Sequence, residues 1–337
     1  IVLVRREPIA ITLSVQLAAF GGFLGLNVAR SLLERRPLSL LERLQTSVVL
    51  VIGYIGAVLV AHSASDAVRL GLGIATGGLG LCAYIAAYFM FVVPGRDRVE
   101  SWFNTTYALV GVLGGSWLAL GDPAYAWIAT ALALAAAGTR DATGALPLHS
   151  VICVGFATAA SGLLVAVIEA FLGGVREPWT PLGPAALATF VVAIVVWLVP
   201  ARREETTLLL PWRAAKLLAL ALVVTGLGAF LVAAAARPLA EVGAAGADAA
   251  MVATVRTVIL ALAALALAGL SRVERFRDAT LLVYPVLGIG GLKILGQDFS
   301  VGRPTTLFVA FVGYGVALLV APRLRWHRRS PLAGPTR

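Results

Sequence analysis

The chain has 337 residues, of which 60% are hydrophobic and 13% charged, with a mean hydropathy of +0.92. A soluble domain carries about 25% charged residues, so this composition excludes a water-soluble globular fold and makes lipid the expected solvent. The net charge of +10 does not point to nucleic acid, because the arginines are spread over short loops between apolar runs and not gathered on a polar domain.

Apolar runs of spanning length predict an all-α, polytopic transmembrane bundle. About eleven spans are expected, at about 9–29, 46–62, 70–93, 102–120, 124–138, 148–171, 186–200, 213–236, 250–270, 279–297 and 304–321, forming one domain over 1–322. Pro and Gly punctuate the breaks, as at Arg36-Pro37, Gly121-Asp122-Pro123 and Arg303-Pro304. The basic segment 323–337, with Trp326, reads as a tail anchored to anionic headgroups.

In the first span Gln16 and Asn27 lie three helical turns apart on one face. The stretch RSLLERRPLSLLERLQ that follows, residues 30–45, interleaves leucines with charges and could lie on the membrane surface or form a charged loop. His62 closes span two. Gly73 and Gly77 in span three, and Gly111 and Gly115 in span four, repeat the small-xxx-small pattern of closely packed membrane helices, as do Gly21 and Gly25 in span one. Cys82 and Cys153 fall inside apolar runs and read as small core residues. Spans five and seven are short and are expected to be tilted or interfacial. His149 enters span six after Pro147, and Glu169 lies near the other end of that span. Span nine contains Arg256. Span ten carries Pro285, Gly288, Gly290 and Gly291 ahead of Lys293, which predicts a kink or partial unwinding before the lysine. Gln297 and Asp298 follow one turn later.

Alternation of the spans sorts the basic residues: six on the side of the N-terminus, nineteen on the other, and Arg256 and Lys293 within spans. By the positive-inside rule the second side is cytoplasmic, which places the N-terminus outside and the C-terminus inside. Most tryptophans lie near proposed span ends, as expected of an aromatic belt.

Ionisable groups within membrane spans are expensive and mark candidate sites. By helix direction Glu169, Arg256, Lys293, Gln297 and Asp298 converge in the outer half of the bundle, where Glu169 would pair with Lys293 or Arg256 and Asp298 with the remaining base. His62, His149, Asn27 and Gln16 are weaker candidates, and interhelical hydrogen bonding is the plainer role for the last three. No metal-ligand spacing, phosphate loop or dinucleotide fingerprint occurs, so no cofactor is expected. Ser161-Gly162 lacks the upstream glycine and the histidine partner of an intramembrane serine protease.

The run beginning LKILGQDFSVGRPTT at Leu292, with an aspartate five residues after a lysine and Arg303 shortly after, resembles the closing helices of uncharacterised bacterial many-span membrane proteins classed as domains of unknown function. The stretch FNTTYALVGVLGGSWLAL from Phe103 is similar to such proteins too. That resemblance implies a bacterial inner-membrane protein and carries no activity. Three functions fit the residues. One is a transport-type protein using the outer polar cluster. Another is a non-catalytic subunit or scaffold with membrane-protein partners. The third is an intramembrane enzyme on a lipid-linked substrate, for which Asp66, Asp122 and Glu177 would be the acids.

Overall fold

A computed structural model describes residues 11, 13–18, 21–22, 39–62, 65–89, 98–139, 145–172, 182–199, 209–241 and 247–326. Among them there are helices and turns but no strand. This is the all-α bundle that the composition requires, since a helix satisfies its backbone within its own segment and lipid offers no substitute partner.

The helices are α1 (Leu40–Val49), α2 (Gly56–His62), α3 (Asp66–Ala87), α4 (Arg98–Leu120), α5 (Ala124–Gly138), α6 (Ala145–Ala160), α7 (Leu163–Leu172), α8 (Pro184–Leu198), α9 (Leu209–Glu241), α10 (Ala247–Leu270), α11 (Thr280–Lys293), the single turn α12 (Phe299–Val301) and α13 (Pro304–Trp326). A π-helical segment, Leu50–Ile55, joins α1 to α2, and a second, Ile294–Asp298, joins α11 to α12. Asn27 and most of the 30–45 stretch lie outside the described residues. What is described of that stretch begins a span: Ser39 caps α1 in a reciprocal pair with Glu42, and the helix continues into the apolar run.

Six helical segments are long and apolar enough to cross a membrane: Leu41–His62, Asp66–Ala87, Arg213–Ala236, Ala249–Leu270, Phe276–Val301 and Pro304–Arg323. A bent pair, taken as one span, would make a seventh, and has the geometry of a broken span or a re-entrant loop. α6 and α7 together have spanning length and apolarity but bend by 69° at Ser161-Gly162. Gly162 takes φ +78°, a left-handed conformation that a Cβ disfavours, which explains why the turn falls on a glycine. α5 and α8, 15 residues each, are too short to span without tilt or local thinning.

Packing follows residue size. α3 and α4 meet along the expected glycines and one more: a Cβ on Gly73 would lie 2.6 Å from the backbone nitrogen of Ala119, and one on Gly80, outside the expected pairs, would lie 2.6 Å from that of Val112. Gly115 sits directly against Gly77. α9 is the shared wall of the rest of the bundle. Its Ala215 and Ala219 close a core with α4, α5, α6 and α8 around Leu113, Ile128, Val154 and Val192. Leu220 joins a second core with α10, α11 and α13 around Leu267, Leu287 and Ala317. Further along, Ala229 and Val232 pack with Ala170 of α7 and Val252 of α10. Trp127 lies within the first of these cores, its indole N–H donating to Ser116 Oγ at 2.8 Å, and so is no rim residue.

The expected kink before Lys293 is absent. α11 runs as α-helix through Pro285, Gly288, Gly290 and Gly291. Two of those glycines make room for a neighbour: Cβ atoms on Gly290 and Gly291 would meet the ring and hydroxyl of Tyr314 of α13 at 3.1 and 2.8 Å. The Tyr314 hydroxyl donates to the Leu287 carbonyl at 2.7 Å, which ties α13 to α11 along the glycine face. The irregularity comes after the lysine, as the second π segment.

Candidate functional site

The α10–α11 junction contains three buried ionisable side chains. Arg256 is 1% exposed, and the side chains of Lys293 and Asp298 are 6% and 3% exposed. Lys293 and Asp298 form an ion pair. On an ideal α-helix, residues five apart point about 140° away from each other. The π segment removes that divergence: the Phe299 N–H bonds the Ile294 carbonyl, five residues back, and this wider turn brings Asp298 under Lys293.

α10 completes the node. The Lys293 ammonium donates to the Ala253 carbonyl at 2.7 Å and to Thr257 Oγ1 at 2.8 Å, and the Thr257 hydroxyl donates to the second oxygen of Asp298 at 2.5 Å. Ala253 and Thr257 are one turn apart, so a single face of α10 supplies both oxygens. Lone charges at this depth would be prohibitive. Here the ammonium has three oxygen partners and each carboxylate oxygen has a donor.

Arg256 projects from α10 about 60–100° round the helix from Ala253 and Thr257, towards the apolar cluster shared with α7 and α9. Its Nε donates to the Ala170 carbonyl at 2.7 Å, and Nη2 to the Glu169 carbonyl at 3.3 Å. Both carbonyls belong to the last turn of α7, where helix carbonyls lack intrahelical partners and the dipole is negative. Arg256 therefore acts as a C-terminal cap for the second half of the bent α6–α7 pair. Its charge is also within electrostatic reach of Lys293 and Asp298.

Four of the five principal candidates thus meet around α10, but with different partners than expected. Lys293 pairs with Asp298 of its own helix, and Glu169 meets Arg256 through its backbone carbonyl. The fifth, Gln297, is half-buried beside them, with no hydrogen-bond partner for Oε1 among the described residues. Sequence reading missed Thr257 and the Ala253 carbonyl. A threonine in an apolar helix is a common sight and a backbone carbonyl carries no residue signature, so nothing in the sequence singled them out.

His149 belongs to a separate node near the start of α6, at the opposite end of the bent α6–α7 pair from Glu169. It is fully buried. Tyr84 Oη of α3 lies 2.8 Å from Nδ1, and Thr106 Oγ1 of α4 lies 3.1 Å from Nε2. This is interhelical hydrogen bonding that joins three helices. His62 ends α2 and stacks on Trp117 at 5.0 Å. Gln16 packs against Gly56, its Nε2 3.3 Å from where a Cβ would stand. Among the acids suggested for lipid-linked chemistry, Asp66 pairs with Arg69 at 3.0 Å and Asp122 accepts the Ala124 N–H at 3.2 Å, both ordinary helix-start contacts. Glu177 lies outside the described residues.

The fold and its buried charges define a helical membrane protein with a compact intramembrane ionic node. Comparisons with protein-family models, with curated proteins and with solved structures found no match to this chain.

Proposed function

We propose that this is a transport-type protein of a bacterial inner membrane, with the α10–α11 node as its ion- or proton-handling element. The observation that carries this reading is the Lys293–Asp298 pair built across a π turn inside a span. Ionisable residues cost about 2.5–3.5 kcal/mol each at the middle of a membrane helix on insertion scales, and a smaller share of that towards the end of the span where this pair lies. An apolar helix would anchor the bundle without them, and π turns within helices occur frequently at functional sites. The six-to-nineteen division of Lys and Arg supports a cytoplasmic C-terminus and anionic headgroups on that side. The six long segments, the bent α6–α7 pair, α4, α5, α8 and the helical residues among 11–22 support the eleven-span arrangement.

Purified protein in liposomes loaded with a pH-sensitive dye provides the test. Imposed proton and monovalent-salt gradients should collapse faster than in protein-free liposomes, and Asp298→Asn should abolish the difference. Identical rates with and without protein would refute the reading.

One observation favours a second function, a non-catalytic subunit of a larger membrane assembly: Lys293, Asp298 and Arg256 all find protein partners, as in a packed core. A stable partner chain co-purifying in mild detergent would support it.

A further inference from the structure

We infer that the ends of α10, α11 and α13 remote from Lys293 form a binding site for one anionic phospholipid. Its phosphate is held at a rim of arginines, and an acyl chain lies in the groove beneath them. The site is separate from the ionic node and does not depend on the transport reading.

A groove runs between these three helices. Ser271, just past α10, and Thr280, the first residue of α11, line its outer end, while Val283 and Leu287 of α11 and Ala321 of α13 line the deeper part. Thr280 and Leu287 are seven residues apart, so the groove follows α11 for roughly 10 Å. It is shallow, enclosing only about 10 Å³, so a hydrocarbon chain lies along it and not inside it. Hydroxyls at the helix ends and hydrocarbon further in is the order in which a phospholipid presents its own headgroup and chains. Tyr284, exposed beside the groove, is a residue type that favours the headgroup level.

Charge selects the kind of lipid. Three arginines adjoin the hydroxyl end of the groove. Arg272 follows Ser271, and Arg323 follows Pro322, which also lines the groove. Arg277 lies one turn before Thr280 in the 3-10 helix Glu274–Ala279, its carbonyl accepting the Thr280 N–H. All three side chains are exposed. Asp278, the acid beside Arg277, is already paired with Arg213 of α9 at 3.5 Å. Guanidinium groups match phosphate oxygens with paired N–H donors, and basic pockets between membrane helices suit acidic headgroups. A zwitterionic headgroup carries its own cation, which this rim would repel, whereas an anionic one brings only the attractive charge. A free phosphate would meet the arginines and leave the apolar groove unused. In the proposed orientation these helix ends face the cytoplasm, where anionic headgroups are expected.

The test is thermal unfolding of the purified full chain in a neutral detergent with one of three additives: phosphatidylglycerol, phosphatidylcholine with the same chains, or inorganic phosphate. Phosphatidylglycerol should raise the midpoint by about 2–5 °C over phosphatidylcholine, and inorganic phosphate should give no such gain. The double variant Arg277→Gln, Arg323→Gln should lose the gain. Arg303→Gln, which removes an exposed arginine at the opposite end of α13, should keep it. Equal midpoints in the two lipids for the native protein overturn the inference, whether or not the variants fold. An equal loss in Arg303→Gln overturns it as well, because attraction would then be spread over the whole surface. The same gain from inorganic phosphate alone also overturns it, because the groove would have no part in binding.

Discussion

Lys293 and Asp298 neutralise each other inside the bundle, and Thr257 is bonded to both. Removing one member of such a pair leaves the other charge buried and uncompensated, which costs about 3–5 kcal/mol, whereas replacing both with apolar groups of similar size is often close to neutral. Lys293→Met and Asp298→Leu should therefore each lower the unfolding midpoint strongly, and the double variant should recover most of the loss. Unfolding of all four proteins in mixed micelles measures this, with a coupling of opposite sign to the single losses expected from residues in contact. The existence of a polar site near Lys293 was legible in the sequence, because charges are rare in apolar runs. Its pairing was not, since ideal helix geometry separates Lys293 from Asp298 and sends the search to other spans. The π turn decides the matter, and no residue in ILGQD announces one.

At the scale of elements, the α3–α4 interface separates glycines that are needed from glycines that are not. A Cβ on Gly80 would strike the backbone of Val112 at 2.6 Å, while one on Gly78, two residues away, would meet nothing within 4 Å. Gly80→Ala should destabilise the pair by about 1–3 kcal/mol, as overpacking does. Gly78→Ala should be neutral or stabilising by up to about 1 kcal/mol through helix propensity. The unfolding midpoints of the two variants check this. Helix positions themselves were legible to within a few residues, because apolar runs and Pro/Gly breaks report them directly: the expected spans 124–138 and 250–270 correspond to α5 (Ala124–Gly138) and α10 (Ala247–Leu270). Departures from regular helix were not. The sequence suggested a break at Pro285 and the glycines after it, which in fact accept Tyr314, and the sharp bend falls at Ser161-Gly162, where a single glycine in an apolar run gives no distinctive signal.

For the whole molecule, lipid is the medium that makes the surface tolerable. α3 turns Ile74, Leu79, Leu81 and Ile85 outward, and α13 does the same with Phe308, Val312 and Leu319. In water such surfaces would drive aggregation. The proposed orientation is checked by reporter fusions. A fluorescent protein fused at Arg337 should mature and alkaline phosphatase at the same point should be inactive, whereas phosphatase fused after Gly174 should be active. The two polar nodes lie at opposite ends of the bent α6–α7 pair, with His149 near its start and the Arg256-bound carbonyls in its last turn.

The turn at Ile294–Asp298 can also be seen as a helix carrying one residue more than it needs. Deleting Gly296, whose position faces open space, would leave the lysine and aspartate four apart, the spacing at which an ordinary α-helix already aligns them. The ion pair should survive and α13 should keep its register. A deletion at Val283, inside the regular part of α11, would instead rotate everything beyond it by about 100° and turn the apolar face out of its core. Size-exclusion profiles of fluorescent fusions should show a folded peak for the first deletion and none for the second. The segment that positions the charges is thus also the place where this chain can change length without losing its fold.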